Sequence, residues 1–184
     1  RGTLHVSANY VATLTVFTGP PFFFLLTLIT GDLWKIGSFS WQAILFFSLS
    51  GIIHFALGRT FGYRATQILG ANRAGIMTGL NGVVSVVLAV IVVKETLTPL
   101  MVAGILLSLS GPTIVAIMEE KRTRSALVRA DPHGINLDKK TFYKGMFFGI
   151  GSAFFWGSSA IFVKLALDNG GSSLGGSFIA FSAA

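Results

Sequence analysis

The sequence predicts an all-α protein, a polytopic bundle of transmembrane helices, and three observations carry that prediction. Of 184 residues, 52% are hydrophobic and only 11% are charged, against roughly 25% charged in an ordinary soluble domain. So few charges cannot cover a soluble surface of this size. The mean hydropathy is +0.73, and several windows hold about 18 or more apolar residues in succession, the length that marks a membrane helix. Gly (22) and Phe (17) are both unusually common.

A helix rises about 1.5 Å per residue, so about 20 residues cross a ~30 Å hydrocarbon core. On that ruler five full spans and one truncated span follow in order. The first covers Tyr10–Thr30 and is broken by Gly19-Pro20-Pro21; the second covers Trp41–Gly62 and the third Gly75–Val93. The fourth covers Pro99–Met118, the fifth Gly145–Leu167, and the sixth starts near Leu174. The chain opens at Arg1 and stops inside the apolar run LGGSFIAFSAA, so it reads as an internal piece of a longer protein and the span count as a lower bound.

The oily run from Val86 to Gly111 is interrupted by Lys94-Glu95-Thr96-Leu97-Thr98. That step reads as a tight turn at a membrane face, with Pro99 opening the next helix where its missing N–H costs little. Closed helices are required on either side, because an unpaired backbone group in lipid costs several kcal/mol. Gly58/Gly62, Gly75/Gly79 and Gly145/Gly149 stand four apart, and Gly104 and Gly111 seven apart on a shared face. Small residues at such spacings let membrane helices approach closely, so these glycines, with Gly82, are expected at helix contacts. Residues 119–144 form the only long hydrophilic segment, with seven Lys/Arg and four Asp/Glu. Its composition is that of a linker between two bundles, turned at Asp131-Pro132-His133-Gly134.

Several functions are disfavoured. The net charge of +7 would suggest nucleic acid in a soluble protein. Here the basic residues lie in short loops between apolar spans, where Lys and Arg set orientation and touch lipid headgroups. With no Cys, neither disulfide, thiolate nor Cys-based metal site is expected. The sequence has no paired carboxylates on one face, no Ser/His/Asp spacing and no phosphate loop. It is therefore read as neither an enzyme nor a metal or cofactor protein.

The segment GMFFGIGSAFFWGSSAIFVKLAL, residues 145–167, resembles the first helix of the EamA-type repeat in the drug/metabolite transporter superfamily. Trp156-Gly157-Ser158 and the closing Lys164 fall where that repeat has them. Leu80-Asn81-Gly82-Val83-Val84-Ser85, the aliphatic run, Lys94-Glu95-Thr96-Leu97-Thr98, Gly104 and Gly111 are similar to its fourth and fifth helices. The family usually has Pro near position 82; here Gly82 stands there, and Gly can still loosen the helix. The resemblance implies ten helices in two inverted five-helix repeats around a central substrate cavity, a plan that exposes one site to either side in turn. Residues 1–118 would then be helices two to five of the first repeat, 119–144 the linker, and 145–184 the start of the second. The weak likeness of residues 7–19 to 173–184 falls where such a unit would restart.

A transporter needs polar groups at mid-membrane depth, where burial makes them expensive. His54 stands near the middle of the second span, and Asn81 with Ser85 forms a polar stripe in the third. Each can equally be a hydrogen bond between helices. Trp156 would face the cavity by resemblance, or lie in an interfacial belt. Arg59 and Arg64 read as interfacial side chains whose stems snorkel, with a vestibule for anionic solute as the sharper alternative. Lys94, Glu95 and Lys164 are gate or end-cap residues. All seven acids lie at or beyond helix ends.

Lys35, Lys94 and Lys164 fall on one membrane side; Arg1, Arg59, Arg64, Arg73 and the basic linker fall on the other. The positive-inside rule puts the second group in the cytoplasm, whereas the resemblance puts the linker outside. The function expected is secondary transport of a small metabolite or drug-like solute by alternating access, in a plasma (cell) membrane. The alternative is a non-transporting helical scaffold or assembly subunit. The expected partners are membrane lipid and a small-molecule solute, without nucleic acid.

Overall fold

The computed structural model describes residues 8–94, 96–107 and 138–184, with isolated helical positions 110, 114 and 118, and every regular element among them is helical. Helices α1 (Ala8–Phe17) and α2 (Gly19–Thr30) are separated at Thr18. The break comes directly before Gly19-Pro20-Pro21, and the prolines occupy the first turn of α2, where no N–H is needed. Gly31 (φ 75°) turns the chain into a short α3 (Asp32–Ile36), where Lys35 Nζ lies 2.8 Å from Asp32 Oδ1.

Among the described residues three helices are long and apolar enough to cross a membrane: α4 (Trp41–Leu69), α5 (Ala71–Val93) and α7 (Lys139–Asp168), with α6 over residues 99–107 between the last two. The shorter apolar α8 (Ser173–Ala183) follows. Ser40 caps α4 by accepting from the Ala43 N–H at 3.1 Å, and Ser172 caps α8 from Gly175 N–H at 3.2 Å. α4 and α5 are joined by Gly70 alone (φ 83°), a left-handed conformation that glycine adopts freely. Lys94 ends α5 at φ 58°, a cap conformation unusual for a side-chain-bearing residue. Thr98 Oγ1 then accepts from the Met101 N–H at 3.3 Å, opening α6 at Pro99.

The helices overrun the apolar windows. α4 continues past Gly62 to Leu69, α5 begins at Ala71 rather than Gly75, and α7 runs from Lys139 rather than Gly145. Hydropathy marks only the stretch that lipid surrounds, whereas the backbone ladder continues into polar turns that are still good helix. Glu95, Gly111 and part of the expected fourth span lie outside the described residues.

α7 is the central strut. It packs antiparallel to α4 along its length and also against α5, while α8 lies on α4 and α2. At one end Leu69 meets Gly145. At the other, Ser40 Oγ donates to the Asn169 carbonyl at 2.7 Å. Glycine makes these approaches possible. A Cβ on Gly149 would stand 2.7 Å from Met77 Cβ, and one on Gly157 2.7 Å from both the Asn81 carbonyl oxygen and Val84 Cβ. Gly58 is closed over by the Trp156 indole, and Gly51 by the backbone of Ala180.

Gly79, Gly82 and Gly104 differ from the expected packing role: a Cβ on any of them would meet nothing within 4 Å among the described residues. The same is true of Gly75. Their spacing does give one helical face, but α5 meets α7 through another, on which Met77, Val84 and Ser85 stand. Large apolar side chains cover the outside, and Trp34 and Trp41, 81% and 68% exposed, stand near the Asn169 end, as interfacial tryptophans do.

Candidate functional site

His54 lies at the centre of α4, and the helix there is not α. Ile52–Gly58 is wound as π-helix, so that the Arg59 N–H bonds the His54 carbonyl one residue further back than usual. Such segments reposition side chains and are frequent at functional sites. On α7, Ser152, Trp156, Ser159 and Val163 recur at four, three and four residues, one face of a helix. That face is laid against the π-wound segment.

The resulting layer is tightly bonded. Trp156 Nε1 donates to the His54 carbonyl at 3.1 Å, and the indole stacks on the imidazole at 5.9 Å between centroids and 28° between planes. His54 Nδ1 lies 3.0 Å from Ser159 Oγ, which donates to the Trp156 carbonyl at 2.7 Å. A hydroxyl has one proton; with it on the Trp156 carbonyl, Nδ1 is the donor to Ser159, and in the neutral ring Nε2 is then an acceptor. One turn away, Ser152 Oγ donates to the Gly58 carbonyl at 2.9 Å.

Two cavities meet at this layer. Towards the Asn169 end, about 260 Å³ is enclosed by Phe47, Phe55, Phe181, Ser50, Ser173 and Ser177, with His54 and Ser159 at its floor. Towards the Gly70 end, about 560 Å³ is bordered by His54, Trp156, Arg59, Tyr63, Thr78 and Asn81. Gly75 also lines this second space, which is why its Cβ position is open. The first cavity has aromatic walls and hydroxyl groups; the second contains a guanidinium. Phe55 and Phe181 stack at 3.9 Å and 24°, Phe23 stacks on Phe181 at 5.1 Å, and Arg59 Cζ lies 4.9 Å from the Phe55 centroid.

Of the residues singled out from sequence, His54, Asn81, Trp156 and Arg59 all border the larger cavity. Ser85 does not: its hydroxyl donates to the Gly157 carbonyl at 3.0 Å and joins α5 to α7. Lys94 is exposed at the end of α5, and Lys164 is half-buried near the end of α7, away from the His54 layer. Ser159, Ser50, Tyr63 and the Phe55–Phe181 stack went unread. Ser159 was within reach, since it follows Trp156 by three residues on the same helical face; Ser158, beside it in sequence, instead bonds back to Phe155. Among the described residues no group of three or more His, Cys, Asp or Glu could hold a metal ion.

Long apolar helices and a bonded polar layer with a cavity on either side fit an integral membrane protein. The sequence profile of the EamA-like transporter family matches residues 2–117. The chain therefore belongs to that family, within the drug/metabolite transporter superfamily. No curated protein and no solved structure matches it.

Proposed function

We propose that the protein is a secondary transporter that carries a small metabolite or drug-like solute by alternating access, with the His54–Trp156–Ser159 layer as the barrier between two half-paths. The observation that carries this reading is the position of that layer, one bonded sheet of side chains thick, between the two cavities. A polar group at this depth is costly to bury, and its presence there points to the passage of a solute. The imidazole is tied to Ser159 through Nδ1, and Nε2 is the nitrogen through which the ring would meet a solute.

The course of the helices supports an inverted second unit. α2 and α8 run antiparallel, with Gly19 and Phe23 against Phe181 and Phe24 against Phe178. Opposed units of this kind are the basis of alternating access. Residues 1–118 then belong to the first repeat, 119–144 to the linker and 145–184 to the second, and the cell membrane is the proposed location. A scaffold would leave these polar groups dispersed on packed or lipid-facing surfaces, whereas four of them share one cavity wall.

The test is counterflow by the full-length protein in proteoliposomes against a panel of amino acids, organic acids and nucleosides. Losing one buried hydrogen bond costs about 1 kcal/mol. Ser159→Ala is therefore expected to change the exchange rate by up to about fivefold, and His54→Ala to change it further. Wild-type exchange by both variants with every transported solute would remove the layer from the path. If protons drive the cycle, His54 is the carrier among the residues bordering these cavities; a His54→Ala protein still following an imposed pH gradient would exclude it.

A further inference from the structure

We infer that the larger cavity takes an organic carboxylate, whose charge is met by Arg59. The inference rests on the transport reading and adds to it the chemical class of the solute.

Arg59 is half-buried and five residues beyond His54 along α4, about 7.5 Å at the rise of a helix. That depth still lies within the hydrocarbon region of a span centred on His54. Its direction is informative. α4 runs from the Asn169 end to the Gly70 end, and side chains on a helix lean towards its N-terminus. Arg59 accordingly reaches back towards the membrane centre, with Cζ over the ring of Phe55, four residues earlier. An arginine extending to headgroups at the Gly70 end would turn the opposite way.

Among the described residues the guanidinium has no matching anion. Asp32, Asp138 and Asp168 stand at the ends of α3 and α7, and among the described residues no carboxylate pairs with Arg59. A ring face offsets only part of the cost of holding a cation away from water. The remaining demand is for an anion, and the five donors of a guanidinium match a carboxylate two at a time. Trp156 and Tyr63, which border the same cavity, suit an apolar or aromatic body, and Asn81 offers further hydrogen bonds. Arg59, Arg64 and Arg73 also lie in the half of the bundle towards the Gly70 end, so the potential at that mouth favours an anion's approach.

The test uses full-length protein in detergent and three matched solutes: 3-phenylpropanoate, its amide and 3-phenylpropylamine. Binding is followed by quenching of tryptophan emission. The carboxylate is expected to bind about tenfold or more tighter than the amide, as one charge-assisted contact provides, and the amine weakest of the three. Arg59→Gln should bring acid and amide to near-equal affinity by weakening the acid alone, and Arg59→Lys should retain most of the preference. Equal affinity for acid and amide in the wild type overturns the inference, as does a preference that survives Arg59→Gln, or no binding by any of the three. Inorganic phosphate competing as well as phenylpropanoate overturns it in favour of a phosphate site. Loss of co-purifying anionic phospholipid in Arg59→Gln, with the preference intact, would assign the counter-charge to a headgroup instead. Should Arg59→Gln not fold, the wild-type comparison and Arg59→Lys decide. Counterflow separates the two readings: neutral solutes exchanged by the wild type and blocked by His54→Ala leave transport standing without the carboxylate. Carboxylate binding with no counterflow of any solute leaves the reverse.

Discussion

At the scale of single residues, glycine and tryptophan set the geometry of the His54 layer. The Trp156 indole closes over Gly58, so Gly58→Ala must push the ring off the imidazole or separate α4 from α7. Overpacking of this kind costs about 1–3 kcal/mol, and a lower unfolding temperature of the detergent-purified protein is the expected result. Gly75→Ala is the matched control: its added methyl enters open space and removes a poor helix former, so unfolding should stay level or rise. Trp156→Phe keeps an aromatic face but loses the donor to the His54 carbonyl, for which about 1 kcal/mol of destabilisation is expected. His54, Trp156, Asn81 and Arg59 were legible because polar and charged atoms are rare in a chain so oily. Ser159 was legible only through its place three residues after Trp156, because serine is common in membrane helices and its neighbour across the interface is what sets it apart.

At the scale of elements, hydropathy located the helices and misplaced their ends, since it follows lipid and not the backbone ladder. The π-wound segment Ile52–Gly58 left no trace in the pattern: its residues are ordinary apolar helix formers around one histidine. It accommodates one residue more than an α-helix would between Trp41–Gly51 and Arg59–Leu69. Deleting Ile53 should restore α winding there and leave Trp41–Gly51 and Arg59–Leu69 in their present register. Phe47 and Gly51 would keep Gly176 and Ala180, which they now touch, while the π-wound geometry at His54 is lost. The expected outcome is a monodisperse peak retained in size-exclusion chromatography with altered counterflow. Deletion of Phe46, within the α-wound stretch, should instead turn one part of the helix by about 100° against the other and lose the peak. The glycine stripe of α5 shows the complementary limit: periodicity groups residues on a face but does not say which neighbour, or which cavity, that face receives.

At the scale of the whole molecule, the two ends of the bundle carry unlike charge. Lys35 and Asn169 share the end where Ser40 bonds across, while Arg64, Arg73 and Lys139 to Lys144 gather at the other. The charge rule assigns that second end to the cytoplasm. A Ser125→Cys protein, with its thiol in the hydrophilic linker, should accordingly react with a membrane-impermeant maleimide only after cells are opened. Labelling of intact cells would reverse the orientation and favour the arrangement that the family resemblance implied. The family itself was readable from the order of its weak motifs, but the pairing of cavities was not, because it depends on helices far apart in sequence. The place of α7 at the centre of the bundle has a consequence for how the protein is made. The ribosome delivers α4 and α5 into the bilayer well before their common strut, so the flanks that will meet it must wait among lipids, or in the care of an insertase, until translation of Lys139–Asp168 is complete.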